Sequence, residues 1–334
     1  MALILSAATG NFNAGATWVG GIVPGAADEA RASTTHTVTI TANVTCTELS
    51  NAGTGIFTLN NGVTLTANVT HKSATANVTC LQFTAASPAT ATIVGNITGA
   101  SAAAATTVFG AVRNVSTGTL NVTGSVTGGS AGSAVGITNV STGTLNVTGN
   151  ITGGSTTACQ GLYSQGNGTV TVVGNLIGGS GSNAVALSND SNVSVTITGS
   201  VNGGSNASAA GVTNGSTGTV TITGNITAAT AAGVTNASTG SVTITGNITA
   251  STAAGVTNSS TATLTISGGT YTASTVANAV SSTNASSVVR ISGSFIHASN
   301  GFVPINAVKF ILLTTPTLAK TRYALNGSTT YVDM

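Results

Sequence analysis

The sequence predicts an all-β chain, a right-handed parallel β-helix, and three observations carry that expectation. A unit of 22–25 residues recurs along most of the 334 residues, each unit holds three short stretches alternating apolar and polar residues, and Gly, Ser and Asn separate the stretches. A fixed period of this size signals stacked coils, and two-residue alternation bounded by turn residues signals strands rather than helices.

The unit is clearest in TVTITGNITAATAAGVTNASTG, residues 219–240. Taking the residue after the TxTG turn as anchor gives Asn43, Asn68, Asn96, Ser125, Asn150, Asn175, Ser200, Asn225, Asn247, Gly269 and Ser294. One coil then reads as three strands, such as Val220-Thr221-Ile222-Thr223, Asn225-Ile226-Thr227 and Ala232-Gly233-Val234-Thr235. Alternation turns Val220 and Ile222 inward and Thr221 and Thr223 outward. A single coil cannot bury its apolar side, so stability has to come from stacking about ten coils, a body roughly 50 Å long at about 4.8 Å per coil.

Stacking predicts ladders of equivalent residues. Val38, Val63, Leu120, Leu145, Val170, Val195, Val220, Val242, Leu264 and Val289 share one inner position, with Ala91 as the small exception. Asn114, Asn139, Asn189, Asn214, Asn236 and Asn258 recur at a corner, where Asn tolerates left-handed backbone and its amide can bond to the next Asn. Gly118, Gly143, Gly168, Gly218 and Gly240 follow at the next bend, expected for the same conformational reason. Gly-Gly-Ser triplets at 128–130, 153–155, 178–180 and 203–205 should line up along one edge. No Lys follows them and no helix is expected after them, so they read as coil corners rather than phosphate cradles.

Residues 1–36 and 295–334 leave the register, which gives three parts: an N-terminal cap or attachment segment at 1–36, the parallel β-helix at 37–294, and a C-terminal cap or oligomerisation segment at 295–334. An open solenoid end exposes unpaired strands, so each end needs a cap. Trp18, the one Trp, is expected as an apolar lid and is also an interface candidate. The C-terminal segment concentrates Phe295, Phe302, Phe310, Tyr323 and Tyr331 with Arg322. Five of the 7 Phe and 4 Tyr fall there, and aromatic and Arg enrichment is the signature of interfaces.

Composition excludes several functions. Seven Lys and Arg against five Asp and Glu leave no basic run to hold nucleic acid. No window approaches the roughly 18 apolar residues of a membrane helix. The opening MALILSAATG lacks a basic leader, so no secretory signal is expected. Between Thr84 and Val289 the only charges are Arg113 and Asp190, too few for the paired carboxylates of glycan cleavage. Asp28, Glu29 and Glu48 near the start read as a solvated cap or a salt bridge with Arg31. His36, His71 and His297 have no ligand spacing, and the glycine-rich corners lack calcium-binding aspartates, so neither a metal nor a cofactor is expected. Cys46, Cys80 and Cys159 are odd in number and scattered, and read as small buried side chains.

The stretch ATWVGGIVPGAADEARASTTHTVTI, residues 16–40, resembles the lead-in that precedes β-helices in bacterial surface proteins and tailed-phage virion proteins. A Trp-Val-Gly-Gly, a Pro and an acidic residue come before the His-Thr-Val-Thr-Ile that opens the first coil. The nearly uncharged Thr/Asn/Gly-rich body also looks like phage fibres and capsid decorations, commonly homotrimers. Depolymerising tailspikes carry an acidic groove that this sequence lacks. The resemblance implies a non-enzymatic structural protein on the exterior of the virion, a homotrimeric capsid decoration (cement) protein in contact with other virion proteins such as the major capsid protein. Two alternatives stand beside it. One is a tail fibre or adhesin binding host glycan through the Gly-Gly-Ser edge. The other is an ice-binding solenoid using Thr196/Thr198, Thr221/Thr223 and Thr243/Thr245, a rank interrupted by Asn121, Asn146, Val173 and Arg290.

Overall fold

In the computed structural model the described residues are 1–73, 78–84, 89–101, 109–131, 133–192, 194–272, 278–282, 284–292, 294–296, 305–307, 310–312, 322–325 and 331–333. The chain is a β-solenoid of about eleven turns, built almost wholly of parallel strands. Three ladders run along it. The first holds strands such as Thr144–Thr148, Thr169–Val173, Ser194–Thr198, Val220–Thr223, Val242–Thr245 and Thr263–Ser267. The second holds the short strands after them, such as Leu176–Ile177, Val201–Asn202, Ile226–Ala228 and Ile248–Ala250. The third holds strands such as Leu187–Asn189, Val212–Asn214, Val234–Asn236 and Val256–Asn258.

Alternation sets the core. In Val220–Thr223 the apolar residues are buried and both threonines exposed. One hydrophobic cluster runs from Phe12 and Trp18 to Val289 and Ile291. The expected inner column is found as Ala91, Leu120, Leu145, Val170, Val195, Val220, Val242, Leu264 and Val289 in direct register. Val63 sits one position before Thr64, which pairs with Thr92, so it too belongs there.

Val38 does not. It pairs with Gly10 and Phe57 in the third ladder. Two anchors also shift: Asn43 lies one position before Val44, which pairs with Leu65, whereas Asn68 pairs with Glu48. Strands Val44–Asn51 and Thr64–Thr70 run unbroken through both the first and second ladders, so no glycine turn marks the boundary there. At the other end Ile248 pairs with Tyr271, which makes Thr270 rather than Gly269 the equivalent of Asn247. The extra Gly268 adds one residue to that turn.

From Gly95 onward a glycine separates the first ladder from the second. Gly95, Gly124, Gly149, Gly174, Gly199, Gly224 and Gly246 have φ between 147° and 154°, a region open essentially to glycine alone. A Cβ on Gly224 would also press into the carbonyl of Gly199 beneath it.

The corner asparagines differ from expectation in one respect. None has a positive φ; they end the third-ladder strands in extended backbone and are buried. Their amides form the expected stack: Asn114 Nδ2 donates to Asn139 Oδ1 at 2.9 Å, Asn189 to Asn214 at 2.9 Å, Asn214 to Asn236 at 2.8 Å and Asn236 to Asn258 at 2.9 Å. Ser164 and Ser282 take the Asn place in two coils and accept from Asn139 and Asn258. The bend glycines are likewise not left-handed. A Cβ on Gly143, Gly168 or Gly240 would strike the carbonyl of the glycine one coil below, so close backbone stacking selects glycine there.

The parallel pairing extends into both end segments. Leu3–Leu5 pairs with Glu29–Ala32, and Gly10–Asn11 with Thr37–Ile40. At the far end Phe310–Leu312 pairs with Val288–Ile291, and Ile305–Ala307 with Val280–Ser282 and Arg322–Leu325. Tyr331–Asp333 then pairs antiparallel with Arg322–Leu325, reversing the last strand and covering one open edge.

Candidate attachment surface

The N-terminal turn is closed inside and apolar outside. Its inside is Trp18, 2% exposed, whose indole Nε1 donates to the Phe12 carbonyl at 2.6 Å. The ring meets Phe12 edge-on at a centroid distance of 5.0 Å, and Phe12 in turn faces Phe57 at 6.5 Å. A buried Trp needs a partner for its N–H, and the Phe12 carbonyl supplies it. Trp18 is thus buried and bonded within the turn, as expected of an apolar lid.

The outward side chains around it are apolar. Leu3 is 48% exposed, Leu5 37%, Val19 56% and Ile22 62%. Leu3 and Leu5 point outward because Ile4 between them packs against the core. Val19 belongs to a short 3-10 turn at Val19–Gly21, whose Gly20 and Gly21 have φ of 71° and 72° and set Ile22 opposite the first strand. Between strand and turn lies a groove of about 390 Å³ lined by Ala2, Leu3, Ile4, Leu5, Val19, Ile22 and Asp28. Leu3–Leu5 has a strand partner on one side only, Glu29–Ala32, so the other edge of its backbone is unpaired by any described strand. The turn thus presents an apolar groove beside an open strand edge, the kind of feature that protein contacts use.

Next to it the charges are spent on one another. Glu29 and Glu48 are neighbours in register. Arg31 Nη2 contacts Glu29 Oε1 at 2.6 Å, and Lys72 Nζ reaches Glu29 at 3.1 Å and Glu48 at 2.7 Å. Ser50 Oγ donates to the same Glu29 oxygen at 2.6 Å. Burial alone would raise the Glu29 carboxyl, but the bonds from Ser50, Arg31 and Lys72 outweigh it and hold the group below its ordinary value. Burial likewise works against charged Lys72, yet Glu48 and Glu29 raise its pKa overall. Asp28 lies apart, accepting from the Ala2 and Gly25 N–H groups. The expected Arg31 bridge is present; Lys72 is the member the sequence reading missed, because its partner Glu29 is 43 residues away.

On the solenoid body, Arg113 and Asp190 both lie on the third-ladder side. Arg113 pairs with Thr138, which pairs with Tyr163, and Asp190 directly follows the ladder residue Asn189. Asp190 accepts from Ser188 at 3.3 Å and from the Tyr163 hydroxyl. Among the described residues no three His, Cys, Asp or Glu side chains gather as a metal site. The four Gly-Gly-Ser corners do line up, and with Thr127, Thr152 and Ile177 they border an open groove of about 560 Å³.

The C-terminal candidates are partly placed. Phe295 lies on Ser294–Ile296 opposite Tyr271, and Phe310 opposite Val289. Arg322 and Tyr323 lie opposite Asp333 and Val332, and Tyr331 opposite Ala324. Phe302 falls outside the described residues. Backbone pairing thus brings Arg322, Tyr323 and Tyr331 together in one antiparallel pair of strands.

Comparison of the chain with known proteins finds no matching family model, no matching curated protein and no matching solved structure.

Proposed function

We propose that this chain is a non-enzymatic structural protein of the exterior of a tailed-phage particle, a homotrimeric capsid decoration protein that attaches through its N-terminal turn. The observation that carries the reading is the apolar groove of Leu3, Leu5, Val19 and Ile22 at a closed solenoid end. A solenoid is a rigid spacer, and a spacer with one apolar end is suited to standing on another protein, here the major capsid protein. The four side chains are 37–62% exposed, so covering what is left of each contributes roughly 0.5–2 kcal/mol before the cost of association is met. The resemblance of residues 16–40 to virion lead-ins agrees, since that stretch supplies Val19 and Ile22, one side of the groove. The trimer rests on the aromatic and Arg content of residues 295–334.

The test is rebinding of purified chain to phage particles stripped of it. Wild-type chain should sediment with the particles, and a Leu3→Asp/Ile22→Asp variant should stay in the supernatant with its fold intact. Equal rebinding by both would overturn the reading. A second reading, a tail fibre or adhesin gripping host glycan, has the Gly-Gly-Ser groove in its favour. Binding on a glycan array that is lost on Ser130→Lys/Ser155→Lys, at exposed side chains of that groove, would shift the assignment to it.

A further inference from the structure

The outward side of the first ladder takes no part in the N-terminal groove, the Gly-Gly-Ser groove or the C-terminal segment. Its side chains form ranks in direct register: Thr171, Thr196, Thr221, Thr243 and Thr265 in one, and Val173, Thr198, Thr223, Thr245 and Ser267 in the next. Thr196, Thr198, Thr221, Thr223 and Thr245 are exposed, and Thr243 and Thr265 half-buried. Successive members of a rank are one strand spacing apart, about 4.8 Å, and the two ranks are two residues apart along the strand, roughly 6.7 Å. Five coils therefore hold a nearly rectangular net of hydroxyl and methyl groups about 19 Å long.

From this net we infer an ice-binding face, with ordered water as the ligand. The two repeats lie close to oxygen repeats on a prism face of hexagonal ice. Hydroxyls hold lattice waters by hydrogen bonds, while the methyls between them order the first water layer without competing for it. The net is stiff: its backbone is laddered on both sides, the Asn stack locks the coil interior, and Thr245 and Ser267 hydroxyls bond to each other at 3.2 Å. It also carries no charge between Thr64 and Thr265 along its central rank, where Arg290 then ends it. The regular part is bounded below by Asn121 and Asn146, whose amides bond to each other at 2.9 Å and replace hydroxyls.

Other occupants fit the chemistry less well. Protein interfaces centre on aromatic, Met and Arg anchors, with Ser and Thr contributing little, and this face has none of those anchors in its five coils. The inference stands apart from the virion reading, because it uses neither the N-terminal groove nor the C-terminal segment.

The measurement is thermal hysteresis of the purified full chain, with ice-crystal shape recorded. Wild type should open a gap between melting and growth and facet the crystals. Thr221→Lys/Thr243→Lys should lose the gap, while Thr227→Lys, on the exposed side of the second ladder, should keep it. Thr221→Asn, a residue the same rank already holds at Asn121 and Asn146, should also narrow the gap and guards against misfolding in the lysine variant. No gap in wild type, or an equal gap in the Thr221 variants, would overturn the inference. So would a change of oligomeric mass on Thr221→Asn, which would make this face a contact between copies of the chain.

Discussion

The side-chain amide of Asn214 donates to the Oδ1 of Asn236, one coil further on, at 2.8 Å, and both residues are buried. Asn214 also donates to the Gly218 carbonyl at 3.2 Å and accepts from Asn189, so one side chain ties three coils together. Truncating it leaves buried neighbours without partners, a loss of about 1–3 kcal/mol for each group. Asn214→Ala should therefore cost at least about 2 kcal/mol in urea unfolding. Asn225→Ala removes one exposed acceptor for the Asn247 N–H and should cost under about 1 kcal/mol. Equal costs would deny the buried stack its special weight.

Gly224 marks the boundary between the first two ladders with φ of 154°. Gly224→Ala combines a forbidden backbone region with a Cβ aimed at the Gly199 carbonyl, and should destabilise by about 3 kcal/mol or more. Gly62→Ala, also at positive φ but with open space around it, should cost less, about 1 kcal/mol. The two variants compared by thermal melting separate strain from clash.

His71 is 4% exposed and neither ring nitrogen has a hydrogen-bond partner among the described residues. Burial pushes its pKa down to about 4. The unfolded chain then binds a proton on this group before the folded one does. Its neutral form leaves stability unaffected above about pH 6.5, and stability falls as the pH drops from there to about 4, by about 3 kcal/mol. His71→Leu should flatten that window in urea melts taken at successive pH values. A further loss below it belongs to Glu29, whose depressed pKa means its bonds stabilise above the ordinary carboxyl value and are lost as the pH falls through the folded one.

Cys46, Cys80 and Cys159 are all buried, at 4%, 0% and 0% exposure, and unpaired. Burial pushes the Cys46 thiol up to about 12 and raises that of Cys80 as well, which starves both of thiolate at neutral pH. A thiol reagent should find no fast-reacting group in the native chain and 3 in denaturant. Fast reaction of native Cys46 would show that the turn holding it opens.

The period and the alternation were legible because both are local: Val220, Thr221, Ile222 and Thr223 declare their sides within four residues. The Asn stack was legible for the same reason, since equal spacing forces Asn214 over Asn189. Legibility failed where the coil departs from its template. Val38 and Asn43 lie in turns without the TxTG glycine, because Val44–Asn51 runs straight through both ladders, so nothing in the residues marks the phase. Gly268 shifted the Gly269 anchor by a single insertion. Leu3–Leu5 is too short for a period to show, and its pairing with Glu29–Ala32 depends on the chain between them folding back. The Lys72 to Glu29 contact likewise follows only from the register of irregular coils.

Light scattering on the purified full chain at micromolar concentration tests the structural assembly most directly. The account predicts three times the 31.9 kDa chain mass, unchanged by Leu3→Asp/Ile22→Asp, since the surfaces proposed for attachment and trimerisation lie in opposite end segments. A folded monomer of 31.9 kDa at that concentration would contradict it.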